Sequence, residues 1–424
     1  MTEVAGVHQR LIVWVLVVLA VLVSGCERHG PGDGESREGS WTGAGEGEVR
    51  SPMADVWEFA AEPSVVVGTD ASELDAVLDV VGDAVRLRDG RIVVANGGLS
   101  SRLPVFSPEG RYITSIGREG EGPGEFAWIT SVEVGPNDSL FVFDAALQRL
   151  TVFLEDGQLA RVASFVPTGD IRGSGLLSTA RMADGRTWVG RGRPRNLRGE
   201  PGLILRDRIS IVLLDDTFSE FRVLADHLPD RMTTTTVAGG LSGFRAPAFS
   251  PRVVHAVWGR CVFVSTGDDP SISIFGADGQ RVSTFEGPGV PRAVTDEHVE
   301  SREEALLERA SEAERPMIRR RFLAEVKTAH LPYYNSMIAD EWGQIWLQEY
   351  SPPWGMGRQW YVLSQSGDRV GEVKMPRAMT VYSITRDGVL GSSRGEFDQE
   401  MVELFPLASL PAEMPDPLPE CVVL

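Results

Sequence analysis

Two segments of this chain match almost position by position. RLPVFSPEG (102–110) and RLTVFLEDG (149–157) share Arg, Leu, Val, Phe and Gly at the same places, at an offset of 149 − 102 = 47 residues. Each is a strand pattern closed by a turn. A period of about 40 to 50 residues built from short strands is typical of the four-stranded blades of a β-propeller, in which each blade buries its faces against its neighbours.

Strand patterns recur along most of the chain, each after a turn signal such as Asp-Gly or Asn-Asp. They are RIVVAN (91–96), SLFVFD (139–144), RTWVG (186–190), RCVFVS (260–265), QIWLQE (344–349) and GVLGSS (388–393). Together with their partner strands they define six units: 78–117, 128–166, 176–225, 252–286, 334–375 and 379–407. The last unit is one strand short, and VWEFAAEPSVVVG (56–68) is an extra strand signal. We therefore predict an all-β, six-bladed propeller whose N-terminal segment completes the final blade, since closure removes exposed edges.

The stretch GREGEGPGEFAWITSVEVGPNDSLFVFD (117–144) resembles an NHL-type repeat, with its glycine-rich lead, Pro-Gly-x-Phe, strand, turn and strand. The order of elements over 57–407 is similar to six-bladed propeller lipoproteins of the NHL and TolB-like kind, most sharply over 84–157. Members of this group mostly bind other molecules, while a minority are metal-dependent lyases or lactonases. The resemblance implies a fold more strongly than an activity.

The glycine-rich segment GREGEGPGEF (117–126) could in principle cradle a phosphate. It carries three glutamates and no lysine, and a strand pattern rather than a helix follows it, so the helix dipole of a phosphate-binding loop is missing. We interpret it as the crossover between the first two blades, with Phe126 wedged between them.

The N-terminus predicts export. Residues 11–23 are uncharged, too short for a membrane-spanning helix but suited to a signal peptide, and VSGC (23–26) resembles a bacterial lipobox. We predict a lipoprotein signal peptide over 1–25, lipidation of Cys26 and a flexible linker over 26–52, with an ordinary signal peptide or an uncleaved anchor as alternatives. The propeller then spans 53–410, and 411–424 form a proline-rich tail. The expected location is the bacterial cell envelope, on the periplasmic side or at the outer membrane.

The net charge of −19 argues against a general affinity for nucleic acid or anionic membranes. Membrane contact is therefore expected through the lipid anchor alone. Besides Cys26 the chain has Cys261 and Cys421. An exported compartment permits their pairing, while the apolar run around Cys261 also suits a buried free thiol.

Four long segments fall on one predicted face of the ring. In a blade with strands A to D from the centre outward, the A–B and C–D turns share one face, and the B–C loops and D–A crossovers share the other. The long segments are the B–C loops 191–208 and 349–359 and the crossovers 226–251 and 287–332. The last should hold a helical insertion over about 295–328, interrupted at Pro316, with Leu306, Ala310, Ala313 and Met317 on one face.

These loops suggest a ligand-binding surface, because binding residues gather on loops carried by a rigid scaffold. The candidate ligand-binding residues are Arg191, Arg193, Arg195, Arg198, Tyr333, Tyr334, Trp354 and Arg358. Arginines beside aromatic rings suit anionic or sugar-like ligands. The structural alternative is that the arginines pair with nearby carboxylates and that the loops cap the channel.

Sequence motifs for catalysis are weak. GSSRG (391–395) has the spacing of a nucleophile elbow around Ser393, but a strand pattern follows where that motif needs a helix. No metal-ligand spacing occurs, and neither a cofactor nor a catalytic residue is predicted. The expected function is a binding module for a protein, a glycan or a small anionic ligand. The alternative is a metal-dependent lyase or lactonase with ligands gathered from several blades at the channel mouth.

Overall fold

A computed structural model describes residues 57–70, 73–166, 174–194, 204–218, 221–237, 241–245, 248–308, 310–324, 328–353, 355–395 and 399–409. The chain forms a six-bladed β-propeller, as the repeat predicted. Five blades follow the chain in order. Each of these blades is an antiparallel meander whose first strand is innermost.

The strands β1 Glu58–Phe59 and β2 Val65–Val67 precede the first blade. Blade one contains β3 Val80–Arg86, β4 Ile92–Gly97, β5 Leu103–Phe106 and β6 Tyr112–Ile116. The strands β7 Arg118–Glu119 and β8 Glu125–Phe126 follow it. Blade two contains β9 Ile129–Val134, β10 Leu140–Asp144, β11 Arg149–Phe153 and β12 Leu159–Ser164. Blade three contains β13 Ser174–Arg181, β14 Trp188–Pro194, β15 Ile204–Leu214, β16 Phe221–Val237 and β17 Leu241–Arg245.

Blade four contains β18 Val254–Trp258, β19 Cys261–Ser265, β20 Ser271–Gly276 and β21 Arg281–Glu286. The helices α1 Asp296–Glu308 and α2 Arg315–Ala324 lie in the following crossover. Blade five contains β22 Tyr334–Ala339, β23 Ile345–Ser351, β24 Gly355–Leu363 and β25 Arg369–Lys374. The last blade contains β26 Thr380–Thr385, β27 Gly388–Arg394 and β28 Glu400–Phe405, and β29 Leu407–Ser409 follows. Short 3-10 helices cover Leu74–Ala76, Gly98–Ser100 and Pro136–Asp138.

The ring closes through its N-terminus, as predicted. Strand β2 pairs with β28 as the outermost strand of the last blade, with Val65 opposite Leu404 and Val67 opposite Val402. Strand β1 pairs with β29 beside it. Because β28 runs towards the face of the short turns, which we call the short-turn face, both the start of β1 and the end of β29 lie at that face.

In blades one and two, a polar residue near the end of the second strand holds the entry of its own blade. The side-chain oxygen of Asn96 accepts a hydrogen bond from the backbone of Asp79 at 2.8 Å. Forty-eight residues on (144 − 96 = 48), Asp144 accepts hydrogen bonds from the backbone N–H groups of four residues. The donors are Ala127, Trp128, Ala146 and Leu147. Asp144 thereby fixes the entry into β9 and the turn after β10.

The glycine-rich segment 117–126 is the crossover between blades one and two, followed by strand β9, as predicted. Glu125 accepts hydrogen bonds from the Arg118 guanidinium and from the backbone of Gly122, so a carboxylate occupies the centre of the loop. Phe126 is fully buried in a cluster formed by residues of both blades and packs against Phe153. The loop is a structural joint.

Blade three differs from the prediction. Strands β14 and β15 extend into the predicted loop 191–208 from its two ends. Residues 195–203 lie outside the described part of the chain. The predicted crossover 226–251 begins as strand, because β16 continues to Val237 and a fifth strand, β17, pairs with it. The β-branched run TTTTV (233–237) favours this extended conformation. The extensions project from the end of the blade that carries its B–C loop, opposite the short-turn face.

The helical insertion is present and broken where Pro316 was expected to break it, since α2 begins at Arg315 with proline in its first turn. The predicted apolar face is wrong beyond Leu306. Met317 is 52% exposed, whereas Phe322 of the second helix is buried. Because α1 ends at Glu308, the helical phase is reset and a single periodicity cannot run through both helices.

Cys261 lies buried in β19 and is disulfide-bonded, which excludes the free-thiol alternative; the other two cysteines fall outside the described residues. The signal peptide, the linker and the proline-rich tail also fall outside them and stay predictions. Within the described residues, no helix has the length and hydrophobicity needed to cross a membrane.

Candidate functional site

The insertions of blades four and five pack together on the face opposite the short turns, which we call the insertion face. Both helices contribute to one apolar cluster. The crossover into blade four and the loop between the second and third strands of blade five complete it. The buried members of this cluster are Ala248, Phe249, Phe322, Leu331 and Tyr350, with Val294, Val299 and Leu306 partly buried against them. The helical hairpin is therefore a fixed part of the insertion face.

Polar contacts hold the hairpin in place. Thr328 donates a hydrogen bond to the Phe249 carbonyl at 2.6 Å, and Arg302 of α1 donates to the Pro353 carbonyl at 2.9 Å. Glu303 of α1 forms an ion pair with Arg319 of α2, with 2.7 Å between the charged atoms. These contacts join three separate insertions, so their side chains keep a defined geometry relative to one another.

Two arginines of the helical crossover contact the segment that carries Tyr350. Arg292 donates to the Tyr350 carbonyl at 2.6 Å and forms an ion pair with Glu349 at 2.8 Å. Burial raises the pKa of the Tyr350 phenol, while the positive charges of Arg302, Arg252 and Arg292 act in the opposite direction. The environment of this hydroxyl is therefore positive.

The predicted ligand-binding residues are only partly described. Arg195, Arg198 and Trp354 lie outside the described residues, as does the side chain of Arg193, whose backbone pairs with Gly175. Arg191 lies on β14, half-buried, opposite Ser178 on one side and Ile211 on the other.

The remaining predicted residues belong to blade five. The hydroxyl of buried Tyr334 donates to the Pro288 carbonyl at 2.7 Å, and Arg358 donates from Nε to the Met375 carbonyl at 2.7 Å. These contacts give both side chains a role in holding the crossover and the outer strands. Tyr333 is half-buried, with its ring centre 6.1 Å from that of Tyr334.

The inner strands carry a repeated irregularity. In five of the six blades one extra residue interrupts the register between the first and second strands. These residues are Gly82, Thr130, Leu177, Asn335 and Tyr382. In blade four, β18 pairs with β19 without a shift, and His255 lies there. Bulges re-aim side chains, so these five residues depart from the regular alternation of the inner strands.

Asp83 and Glu133 form a carboxyl pair on neighbouring inner strands. Asp83 accepts the backbone N–H of Val132 at 3.1 Å, and Glu133 accepts that of Arg181 at 3.0 Å. Burial raises the pKa of Asp83 to about 7. Burial, and then the charge of Asp83, raise the pKa of Glu133 to about 8. Each side chain keeps some exposed surface, but the surrounding blades remove most of its hydration, so the pair holds a proton near neutral pH.

This pair predicts a pH dependence of stability. Both folded-state pKa values are raised, so the folded state binds more protons than the unfolded chain between about pH 4 and 8, and stability falls as pH rises through that range. We expect Glu133→Gln, whose amide oxygen can still accept from Arg181, to melt higher than the unchanged protein at about pH 9, by about 2 to 4 °C for each kcal/mol gained. Thermal melts at about pH 6 and pH 9 check this. Glu155→Gln, at an exposed turn, is the control, and identical pH profiles for Glu133→Gln and the unchanged protein would contradict the assignment.

His255 lies close to Arg191. Burial, and then the charge of Arg191, lower the pKa of His255 to about 4. The imidazole is therefore neutral at physiological pH. The charge of Arg191, one of the predicted loop arginines, therefore acts on an inner-strand residue.

Ser393 lies within β27, and strand β28 follows it, so the nucleophile-elbow interpretation is wrong, as the strand pattern had indicated. Its hydroxyl donates to the buried carboxylate of Glu403 at 2.6 Å, and Glu403 also pairs with Arg377 at 3.1 Å. Across the described chain, no three His, Cys, Asp or Glu residues are grouped so that they could hold a metal ion.

Sequence reasoning missed five residues of these sites: Asp83, Glu133, Arg252, Arg292 and Arg302. Asp83 and Glu133 stand in predicted inner strands, where a carboxylate within an apolar pattern was the available signal. The three arginines are far apart in sequence, and no local pattern connects them.

A shallow cavity of about 610 Å³ lies on the short-turn face. It is formed by turns of blade two and by residues of the blades beside it, and Phe141, Leu154, Asp156 and Arg181 line it. Arg181 is already engaged, because it donates to the Gly185 carbonyl at 2.7 Å and stacks over Phe141. This cavity is the competing location for a ligand.

Comparison with known proteins bears on the fold. A family model described as "6-bladed beta-propeller" matches residues 77–164, which contain blades one and two. A search of curated protein sequences found no significant match.

Solved structures similar to this chain include other propellers. A member of the duf4221 family from Bacteroides vulgatus is 10% identical, with 84% of this chain and 99% of that chain covered and a TM-score of 0.49. The gluconolactonase XC5397 from Xanthomonas campestris is 14% identical, with 84% and 99% covered and a TM-score of 0.42. The virginiamycin B lyase from Staphylococcus aureus is 9% identical, with 77% and 83% covered and a TM-score of 0.37. At these identities and TM-scores, none of the similarities indicates a function.

Proposed function

We propose that this protein is an envelope-anchored recognition module that binds an anionic ligand on its insertion face. The observation that carries the proposal is the packing of insertions from separate blades into one fixed surface, on which Arg292 and Arg302 contact the Tyr350 and Pro353 carbonyls. Arginine groups in a protein of net charge −19 select for an anion at that place. We expect the loop arginines of 191–198 to extend the same face.

The position of the N-terminus supports this function. Strand β1 begins at the short-turn face, so a linker from a lipid on Cys26 would reach the propeller there. About 30 flexible residues have a root-mean-square span of about 30 Å. The insertion face would then point away from the membrane, towards soluble or surface-exposed ligands.

The test is a binding screen on a glycan array that contains uronic-acid and sulfated oligosaccharides beside neutral ones. We expect the protein to bind acidic glycans, and Arg191, Arg193, Arg195 and Arg198 changed together to glutamine to lose most of that signal. Each charge-assisted hydrogen bond contributes about 1.5 to 3 kcal/mol, so losing several abolishes detectable binding.

The control variant changes four arginines outside the insertion face to glutamine: Arg88, Arg111, Arg260 and Arg281. It has the same net charge, so it separates a local site from general attraction. Equal loss in both variants, or unchanged binding in the first, would contradict the proposed function.

A metal-dependent enzyme is the second candidate, and the Asp83–Glu133 pair in the channel is the observation that favours it. Carboxylates bind hard cations, and a bound cation would displace the proton that the pair shares. Elemental analysis of protein purified without chelators decides this. A stoichiometric metal that Glu133→Gln removes would favour the enzyme, while retention of that metal in the variant would place it elsewhere.

A further inference from the structure

We propose that Cys421 is the disulfide partner of Cys261, so that the C-terminal tail is tied covalently to blade four at the short-turn face. Cys261 is disulfide-bonded, and the chain contains two other cysteines, Cys26 and Cys421. The short-turn face lies opposite the proposed ligand surface. The cross-link and the ligand surface are therefore independent of each other.

Cys261 stands at the short-turn end of blade four. It is the first residue of β19, follows the turn at Gly259 and Arg260, and lies opposite Trp258 of β18. Its side chain packs in the apolar cluster between blades four and five. Because only 4% of the residue is exposed, no space remains beside the sulfur for a second protein molecule, and the bond lies within one chain.

Strand β29 ends beside blade five. Its last residue, Ser409, lies opposite Glu58 of β1. Trp57, next to Glu58 in the chain, packs against Trp342 with ring centres 5.6 Å apart. Trp342 belongs to the turn between the first two strands of blade five. The C-terminal tail therefore leaves the propeller at the short-turn face, close to that turn.

The same turn of blade five contacts the strand partner of Cys261. Gly343 follows Trp342 and has a φ of +84°, and an added Cβ there would lie 2.6 Å from the ring of Trp258. Trp258 lies opposite Cys261 in the ladder between β18 and β19. Packed side chains thus lead from the end of β29 to the cysteine by way of a single turn.

The tail is long enough to reach Cys261. The number of residues from Ser409 to Cys421 is 421 − 409 = 12, and an extended chain of that length covers up to about 40 Å. Four prolines within 411–420 favour an extended backbone. Packed sheets lie about 10 Å apart, so the tail can span the distance from blade five to blade four.

Cys26 is the competing partner, and two observations disfavour it. The motif VSGC (23–26) predicts a lipid on Cys26, and a lipidated cysteine carries a thioether in place of the thiol that a disulfide requires. Cys26 is also separated from Glu58 of β1 by 58 − 26 = 32 residues, and a longer segment closes at a greater entropic cost. Pairing of Cys261 with Cys421 leaves Cys26 available for the anchor.

Formation of this bond is a two-electron oxidation. The thiols of Cys261 and Cys421 lose two electrons and two protons, and one S–S bond replaces two S–H bonds. The disulfide of a thiol oxidoreductase in the exported compartment accepts the electrons and protons by exchange and becomes a dithiol. The oxidised protein then has its C-terminal tail fixed to blade four.

Peptide mapping of the protein, purified from the envelope without reductant and alkylated before digestion, tests the pairing. Trypsin places the two cysteines in the fragments 261–281 and 395–424. We expect these fragments to form one species that separates on reduction. A cross-link from 261–281 to the fragment of Cys26, to a second copy of itself or to no other fragment would overturn the pairing. The first of these results would also remove the lipid anchor, but not the ligand surface.

Cys421→Ser measures what the cross-link does for stability. We expect this variant to melt about 5 °C or more below the unchanged protein, because the bond closes a loop of 421 − 261 = 160 residues and restricts the unfolded chain. Dithiothreitol should lower the melting temperature of the unchanged protein by a similar amount and leave that of Cys421→Ser unaltered. Cys261 keeps its packing in this variant, since a buried free thiol behaves as a small apolar group.

Cys26→Ser is the matched control, with the same substitution at the other cysteine outside the described residues. It should lose the lipid and keep both the melting temperature and the response to dithiothreitol. Equal melting temperatures for Cys421→Ser and the unchanged protein, or a response to dithiothreitol that disappears in Cys26→Ser instead, would contradict the pairing. If Cys421→Ser does not fold, the peptide map of the unchanged protein still decides.

Discussion

Replacing Val67 by aspartate is expected to unfold the propeller or to lower its melting temperature drastically. Val67 is 1% exposed and lies in β2, where the N-terminus completes the last blade opposite Val402. It packs into the cluster that joins the last blade to blade one. Burying an unpaired charge there costs several kcal/mol, a large part of the roughly 5 to 15 kcal/mol that stabilises a typical domain.

The matched control is Val290→Asp, the same change at a valine that is 46% exposed. It should melt within a few degrees of the unchanged protein. Circular dichroism and calorimetry give the melting temperatures of both variants. If Val67→Asp and Val290→Asp melt alike, the N-terminal strand does not close the ring.

Asp144→Ala is expected to cost about 3 to 5 kcal/mol of folding free energy. The carboxylate is fully buried and accepts four backbone N–H bonds, two to Ala127 and Trp128 at the entry of blade two and two to the turn after β10. Each buried donor left without a partner costs about 1 to 3 kcal/mol, and relaxation and water recover part of the sum.

Asp144→Asn should lose less folding free energy, because its amide oxygen still accepts hydrogen bonds from backbone N–H groups. Asp156→Ala is the exposed counterpart, since Asp156 accepts one backbone bond from Gln158 at 2.9 Å. Chemical denaturation of the three variants gives the free energies. A loss in Asp144→Ala no larger than in Asp156→Ala would contradict the role assigned to this residue.

The repeat made most of the architecture predictable. A 47-residue offset between two segments fixed the period, and the later blades then followed from their own turns and strands, except for the strand extensions and the fifth strand of blade three. Closure by 56–68 was predictable because the last unit lacked a strand, and an open sheet edge is unfavourable. The segment 117–126 was recognisable as a crossover because its glutamates exclude a phosphate. Glu125 in fact fills the loop.

Local patterns failed where tertiary contacts decide the outcome. The threonine-rich segment 233–237 was assigned to a crossover because it lies beyond the expected blade, yet strand pairing extends through it. The apolar face of the helices was misplaced at Met317 because periodicity does not survive the break after Glu308.

The candidate site was less predictable than the fold. Arg292 and Arg302 reach the Tyr350 and Pro353 carbonyls only because the helical insertion folds back onto blade five. The carboxyl pair of Asp83 and Glu133 depends on two inner strands lying side by side. The sequence did indicate that insertions crowd one face, and the described ones pack together there; that this face binds a ligand stays a prediction.

Hydrogen exchange measured by mass spectrometry, with and without an acidic glycan that binds, tests the central claim most directly. We predict that the glycan protects backbone amides in 248–252, 290–308 and 349–353 on the insertion face, and leaves the turns 136–141 and 152–156 on the short-turn face unchanged. Protection at those two turns, with none on the insertion face, would place the ligand in the opposite cavity and contradict the account.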